Sequence, residues 1–286
     1  MVSISKGYAS TLLGQIHYRR LGEGSPIVLL PHSGRSSRMF ANLARELARR
    51  HDVVAFDLPG SGESAPLRAG ASFQDIATAL MEAIGSLGLG PVGLYGIHTG
   101  NKLGAIMAAD PAGPVGKFVL AGQTHSLIPD QTTRNEAIRV AAAAALAASH
   151  PESLGAVIEW TARVGEFYAQ CLSRATLNAV AATSDLSAPL DWLVDEAQGT
   201  LGRRILYDAN FRYDLEADLR RIAVPTLILE IATPAEDRRL GRQGAAVQKL
   251  VSGAWLETLV EPDGVGFTME HRAGEIAALV SAFFNA

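Results

Sequence analysis

A histidine stands between two glycines in Gly96-Ile-His98-Thr-Gly100, where the apolar run Pro91 to Ile97 gives way to an Ala-rich helical pattern from about Asn101 to Ala109. Strand, sharp turn and helix in that order lift one side chain above the edge of a sheet. The flanking glycines keep Cβ atoms out of a strained and crowded turn. Such turns usually offer Ser, Asp or Cys to attack carbon. An imidazole, with an ordinary pKa of ~6.5, is first a proton-transfer group near neutral pH and only second a nucleophile. Two more of the seven histidines follow the ends of apolar runs, His32 after Pro26–Pro31 and His125 after Lys117–Gly122. Parallel α/β sheets bind ligands beyond the carboxyl ends of their strands, so His32, His98 and His125 are expected to meet at one sheet edge.

The elements that must position these residues read as alternating strands and helices. Gln15–Leu21, Pro26–Pro31, His51–Asp57, Pro91–Ile97 and Lys117–Gly122 have strand patterns, and Ser37–Arg50 and Ser72–Leu87 have helical spacing. Right-handed crossovers between such units give a mostly parallel sheet covered on both faces. From about Ser126 to Arg221 only Ala-rich helical stretches appear, broken at Ser149–Pro151, Ser184–Pro189 and Gly199–Gly202. The strand and helix pattern then returns at Val224–Glu230, Leu240–Leu250, Ala254–Glu261 and Gly274–Phe284. The chain is expected to form an α/β core from residues 1–125 and 222–286, interrupted by a helical cap over 126–221. Among the cap aromatics Trp160, Phe167, Tyr168, Trp192, Phe211 and Tyr213, most are expected to glue the cap to itself and to the core.

The 286 residues are 48% hydrophobic, enough for one large α/β domain, and the formal net charge of −4 comes without a basic run. No nucleic-acid or anionic-membrane partner is expected; the partner is a small molecule. The single cysteine, Cys171, excludes an internal disulfide and reads as a packing residue. No signal-like or membrane-spanning apolar run is found, and a cytoplasmic location is expected.

Four segments in order make the chain resemble the α/β-hydrolase superfamily across almost its whole length: Leu30-Pro-His-Ser-Gly34, Phe56-Asp-Leu-Pro-Gly-Ser-Gly-Glu-Ser64, Gly96-Ile-His-Thr-Gly100 and Val224-Pro-Thr-Leu-Ile-Leu229. The resemblance implies an α/β-hydrolase fold, a mostly parallel doubly wound sheet with an inserted helical cap. It makes the first segment the oxyanion loop, the second a structural turn around Asp57, and position 98 the nucleophile. This chain departs from the family pattern at the residues that matter most. His98 replaces the serine, and Val265 fills the slot of the base histidine in Asp263-Gly-Val-Gly-Phe-Thr-Met-Glu270. Only Glu230, Glu236 or Asp237 is available for the acid, and His271, too late to be the base, is expected to open the last helix. Ser-His-acid hydrolysis is therefore not expected.

Three roles for His98 remain chemically available. It can act as a general acid/base on a carbonyl or ester compound, as a nucleophile steadied by Glu230, or as a zinc ligand with His32 and His125. The first is preferred, since it needs neither an activated acyl donor nor a compact metal motif, and no metal or cofactor is expected. The catalytic set is then His98, His125 and Glu230. The backbone amides of Thr99 and of the Ser33–Gly34 loop can hold an oxyanion at a helix N-terminus. His32 braces that loop, His125 is a pocket wall or a locally satisfied strand-end residue, and Arg35 adds a charge or is simply solvated. The rival expectation from another class is a non-catalytic ligand-binding pseudoenzyme of the same fold.

Overall fold

The computed structural model describes residues 3–122, 187–232, 241–261 and 271–286, together with 136, 140, 162, 234, 237 and 238. Eight strands form one sheet: β1 Ser5–Thr11, β2 Gly14–Leu21, β3 Ser25–Leu30, β4 His51–Phe56, β5 Val92–Ile97, β6 Val115–Ala121, β7 Thr226–Ala232 and β8 Trp255–Val260. They lie in the order β1-β2-β4-β3-β5-β6-β7-β8. Pairings from β4 across to β8 are parallel, while β1 pairs β2 and β2 pairs β4 antiparallel. The crossovers place α1 (Ala41–Leu47), α2 (Phe73–Ser86), α3 (Thr99–Ala108), α6 (Gly244–Leu250) and α7 (Ala273–Asn285) against the sheet. Two further helices, α4 (Ser187–Arg212) and α5 (Leu215–Leu219), lie between β6 and β7 in the chain.

The central strands are apolar on both faces because both are covered. Val28, Leu30, Leu94, Phe118, Leu120 and Ile228 face one layer, with side chains of α2, α3 and α6. Their alternates Ile27, Leu29, Tyr95, Ile97, Val119 and Leu229 pack with α1 and α7. Period-two alternation thus divides one sheet between two cores. Capping fixes the long helix α2: the Ser72 hydroxyl accepts from the Asp75 amide, and the Asp75 carboxylate accepts in return from the Ser72 amide.

Three details differ from the sequence expectations. Strand β1 was not expected, because as an edge strand exposed along most of its length it buries only Ala9 and carries no apolar alternation. His271 precedes the last helix rather than opening it, and its Nε2 lies 2.9 Å from a buried Glu261 carboxylate oxygen. The expected break at Gly199–Gly202 is absent, and α4 runs straight through it. Gly202 serves another purpose, since any Cβ there would overlap the carbonyl oxygen of Gly60. Helix and glycine-rich loop meet backbone to backbone, and one turn further on Leu206 and Ala209 enter the main core with Leu215 and Leu219 of α5.

Adding a methyl group inside a helix normally stabilises it, and contact with another backbone reverses that sign. Gly85→Ala in α2, where a Cβ meets nothing within 4 Å, is expected to raise stability by about 0.5–1 kcal/mol. Gly202→Ala is expected to lower it by about 1–3 kcal/mol. Chemical denaturation of the two variants checks both signs, and a stabilised Gly202→Ala protein would show that α4 does not rest on the Gly60 loop.

Candidate functional site

The site grows from the turn joining β5 to α3. His98 is the one non-glycine residue with positive φ among the described residues, at φ 49° and ψ −103°. Such a conformation costs about 1–3 kcal/mol and persists only when its surroundings enforce it. Here they do: a Cβ at Gly96 would strike the Gly100 carbonyl, and one at Gly100 would strike the carbonyl of Leu30 at the end of β3. The glycines let the first turn of α3 nest against two strand ends. His98 is left projecting and partly accessible, with its amide hydrogen-bonded to the Ala121 carbonyl (3.3 Å) and its ring beside Gly122.

The loop after β3 is tied to the same point. The hydroxyls of Ser33 and Thr99 are 2.6 Å apart, joining that loop to the first residue of α3. The Thr99 amide belongs to the first turn of the helix, whose N–H groups lack intrahelical acceptors. The His32 ring stands edge-on to that of His98, centroids 5.8 Å apart and planes at 83°. His32 Nδ1 lies 2.9 Å from the carbonyl oxygen of Ser33, so this nitrogen carries the proton and Nε2 keeps its lone pair. Burial, reinforced by the neighbouring His98, Arg35 and Arg203 charges, pushes the His32 pKa down to about 3. His32 is thus a neutral imidazole at any ordinary pH.

Arg35 is neither solvated nor free to supply its charge to a ligand, contrary to both sequence expectations. Its side chain is buried, with Nε donating to Asp195 Oδ2 at 3.1 Å and the guanidinium 5.2 Å from the centre of the Trp192 ring. Asp195 also accepts from the Ser36 amide (3.0 Å) and from Arg38 Nη1 (3.2 Å), so one buried carboxylate of α4 gathers the whole segment after the loop. Asp57 anchors the other side: it accepts from the amides of Ser37 (2.6 Å) and Glu63 (2.9 Å) and faces His17 Nδ1 at 2.9 Å. Burial opposes the charge on Asp57, but the His17, Glu63 and Ser37 hydrogen bonds outweigh it and hold the carboxyl below its usual range.

Glu230 is engaged elsewhere. Its Oε1 accepts from the amides of Gln243 (2.9 Å) and Gly244 (2.6 Å) at the start of α6, and its Oε2 lies 3.3 Å from the Thr258 hydroxyl and 3.6 Å from Arg242 Nη1. It points from β7 toward the layer of α6 as a helix anchor. Asp237 pairs with Arg242 at 2.6 Å. His125, Glu236 and Val265 lie outside the described residues, as do Trp160, Phe167 and Tyr168. Phe211 stacks with Tyr207 (6.1 Å), and Tyr213 packs on Phe73 (5.4 Å) while donating to Asp218 at 2.9 Å. Among the described residues no group of three His, Cys, Asp or Glu side chains is placed to hold a metal ion, and no helix is long and apolar enough to cross a membrane.

Sequence reasoning missed Asp195 and Arg203, both on α4. Arg203 lies over the loop after β3: a Cβ placed on Gly34 would stand 2.8 Å from Arg203 Cδ and 3.3 Å from its Nη1. The sequence hides this because the Gly199–Gly202 pattern reads as a helix break, whereas one helix carries both residues.

A mostly parallel sheet wound on both faces, with a strained strand-to-helix turn at its carboxyl edge, defines an α/β-hydrolase fold. The chain belongs to the alpha/beta hydrolase family, whose model matches residues 27–279. It is 35% identical over 87 residues to (E)-2-((N-methylformamido)methylene)succinate hydrolase of Acinetobacter baylyi, covering 30% of this chain and 33% of that one. It is 37% identical over 114 residues to 2-hydroxy-6-oxononadienedioate/2-hydroxy-6-oxononatrienedioate hydrolase 2 of Pseudomonas putida, covering 38% and 40%. The matches thus span about a third to two fifths of these curated relatives. The enol-lactonase of Burkholderia xenovorans LB400 superposes with a TM-score of 0.74 at 19% identity, over 98% of this chain and 100% of that one, a likeness of fold.

Two stability measurements test this geometry. The His32 pKa lies below the unfolded value, so its contribution is complete above pH ~6.5 and is lost as pH falls toward 3. Part of the ring remains accessible, and the loss expected between pH 6.5 and 5 is about 1–2 kcal/mol; His32→Gln should flatten that slope, and an unchanged slope would refute a neutral His32. Asp195→Ala leaves Arg35 buried without its carboxylate and is expected to cost about 3 kcal/mol or more. A loss within the range of an exposed ion pair would mean that α4 is not clasped by this residue.

Proposed function

We propose that the protein is an enzyme in which His98 acts as general acid/base on a small carbonyl- or ester-containing substrate, in a hydrolase- or lyase-type reaction without a serine nucleophile. The observation that carries this reading is the strained projection of His98 beside a second, neutral imidazole, at the point where the oxyanion loop is tied to α3. The substrate carbonyl oxygen accepts hydrogen bonds from the Thr99 amide and from the Ser33–Gly34 loop, aided by the α3 dipole. Held there, its carbon becomes more electrophilic and its adjacent C–H more acidic. His98 takes a proton from attacking water or from that carbon and returns it to the leaving or accepting atom as the intermediate collapses. His32, neutral with its proton committed to Ser33, keeps the loop in place without competing for the proton.

Glu230 has no part in this scheme, because its carboxylate is spent on the start of α6; His125, outside the described residues, is given no step in it. Hydrolase-named relatives support turnover of a small molecule. The commitment of Glu230 also favours a second reading, a pseudoenzyme that binds the same class of ligand without turning it over.

A panel of small esters, lactones and keto acids tests the proposal. One class is expected to turn over with a rate that rises through a single ionisation in the neutral range. His98→Ala should lose about 10²–10⁴-fold in kcat while retaining the wild-type melting profile. Serine-directed fluorophosphonate should label no pocket residue, and quenched reactions should carry no acyl adduct on His98. Full activity of His98→Ala, or stoichiometric labelling of Ser33, would defeat the mechanism.

A further inference from the structure

The peptide that joins Ala121 to Gly122 at the end of β6 is the seat on which His98 rests. The His98 amide donates to the Ala121 carbonyl at 3.3 Å, a long bond for the residue that carries the strained turn. The ring lies against Gly122, where an added Cβ would stand 3.2 Å from Nε2 and 3.3 Å from Cε1. Gly122 is itself tied to the next strand, its amide donating to the Leu229 carbonyl at 3.0 Å. Backbone and ring of His98 both take their place from one peptide, and whatever fixes that peptide fixes the imidazole.

Asn101, the third residue of α3, is the side chain that fixes it. Its Nδ2 donates to the same Ala121 carbonyl at 2.8 Å, and its backbone amide donates to the His98 carbonyl at 3.2 Å. The two residues and the Ala121 carbonyl thus close a ring of hydrogen bonds. The other half of the Asn101 amide does nothing comparable: the residue is fully buried, and no protein donor meets its Oδ1. A buried acceptor left without a donor costs at least as much as one neutral hydrogen bond returns. Removing the side-chain amide would strand nothing, because the Ala121 carbonyl keeps the His98 amide as its donor. An apolar side chain of the same shape would therefore serve stability as well or better. Stability does not account for an amide at this position, whereas the bond to Ala121 does.

We propose that Asn101 is a positioning residue, which holds the Ala121 carbonyl from the side of α3 and so sets the direction of the His98 ring and, through the peptide between His98 and Thr99, of the Thr99 amide. It touches no substrate and acts only through these two groups. The inference rests on the reading of His98 as the working imidazole and adds a residue to it. Gly96 and Gly100 enforce the left-handed backbone of the turn whatever stands at position 101. Without the Asn101 bond that backbone survives, but the ring loses its fixed seat.

Two variants of nearly constant volume test this. Asn101→Leu removes the donor and the orphaned acceptor together, and Asn101→Asp offers a donor only while its carboxyl is protonated. The His98 ring resonances of the full-length protein, identified by their loss in His98→Ala, are followed by NMR alongside thermal melting. Asn101→Leu is expected to melt no lower than wild type while its His98 resonances move. With any substrate the panel yields, its kcat should fall about tenfold or more with KM little changed. In Asn101→Asp, compared with the native chain pH by pH, the His98 resonances should coincide at the acid end and part as the carboxyl ionises. Unmoved His98 resonances in Asn101→Leu, whatever its melting temperature, would overturn the assignment. Should Asn101→Leu fail to fold, the Asn101→Asp titration decides, and a difference that does not track its carboxyl would overturn it equally. Resonances that follow Asn101, with no turnover of any panel compound, would leave the positioning role standing and remove the acid/base reading. Turnover that needs His98, with resonances and kcat indifferent to Asn101→Leu, would do the reverse.

Discussion

The structure depends on the close approach of three backbone segments at the carboxyl edge of the sheet. The ends of β3 and β5 and the first turn of α3 come together so tightly that neither Gly96 nor Gly100 has room for a methyl group. That contact forces His98 into left-handed φ, and the forced conformation aims its ring beyond the sheet rather than into either core. The strain of about 1–3 kcal/mol is sustained by the two apolar layers, which order the central strands regardless of what the turn carries. The scaffold can therefore exchange the side chain at this position without losing the geometry that presents it.

Electrostatics then fixes the loops around the turn. Asp57 and Asp195 are both buried carboxylates; Asp57 collects two backbone amides and the His17 ring, and Asp195 one amide and two arginines. Asp57 shapes the turn after β4, whereas Asp195 reaches from α4 to hold Ser36, Arg35 and Arg38. Buried ion pairs of this kind do little for net stability compared with apolar packing, but removing one partner is costly, which makes them effective at selecting a single arrangement. Between these anchors lies the Ser33–Gly34 loop, whose amides must be oriented for any oxyanion role. A loop orphaned from either anchor would keep the right residues at the wrong angles.

Much of this was legible in the sequence because the informative signals are local. Apolar runs at strand length, the Ser72–Asp75 cap and the glycine spacing around His98 each express a constraint within a few residues, and the elements they imply are present. What was not legible depends on tertiary contact. Strand β1 buries too little to leave a pattern. Gly202 looked like a helix breaker because a lone sequence cannot reveal the Gly60 backbone lying against it. Arg35 read equally well as solvated or functional until Asp195, 160 residues away, proved to cover it. Glu230 was singled out by its place at the end of β7, yet it sits among the alternates facing α6, and period two sends its carboxylate to that layer.

On the proposed reading, a histidine at position 98 is chemically coherent. A serine there is inert without a base, so it needs two distant partners held in register. An imidazole needs only a site for the oxygen of its substrate and a neighbour that does not compete for its proton. His32 meets the second requirement because burial and the neighbouring positive charges keep the ring neutral, outweighing the Ser33 hydrogen bond, which pulls the other way. On that reading the first requirement falls to amides that belong to the fold itself, at the opening of α3 and in the loop bonded to it through Ser33 and Thr99. Proton-transfer chemistry thus asks less of the rest of the chain than acyl transfer does. A scaffold whose acid position has turned to support α6 can still satisfy it.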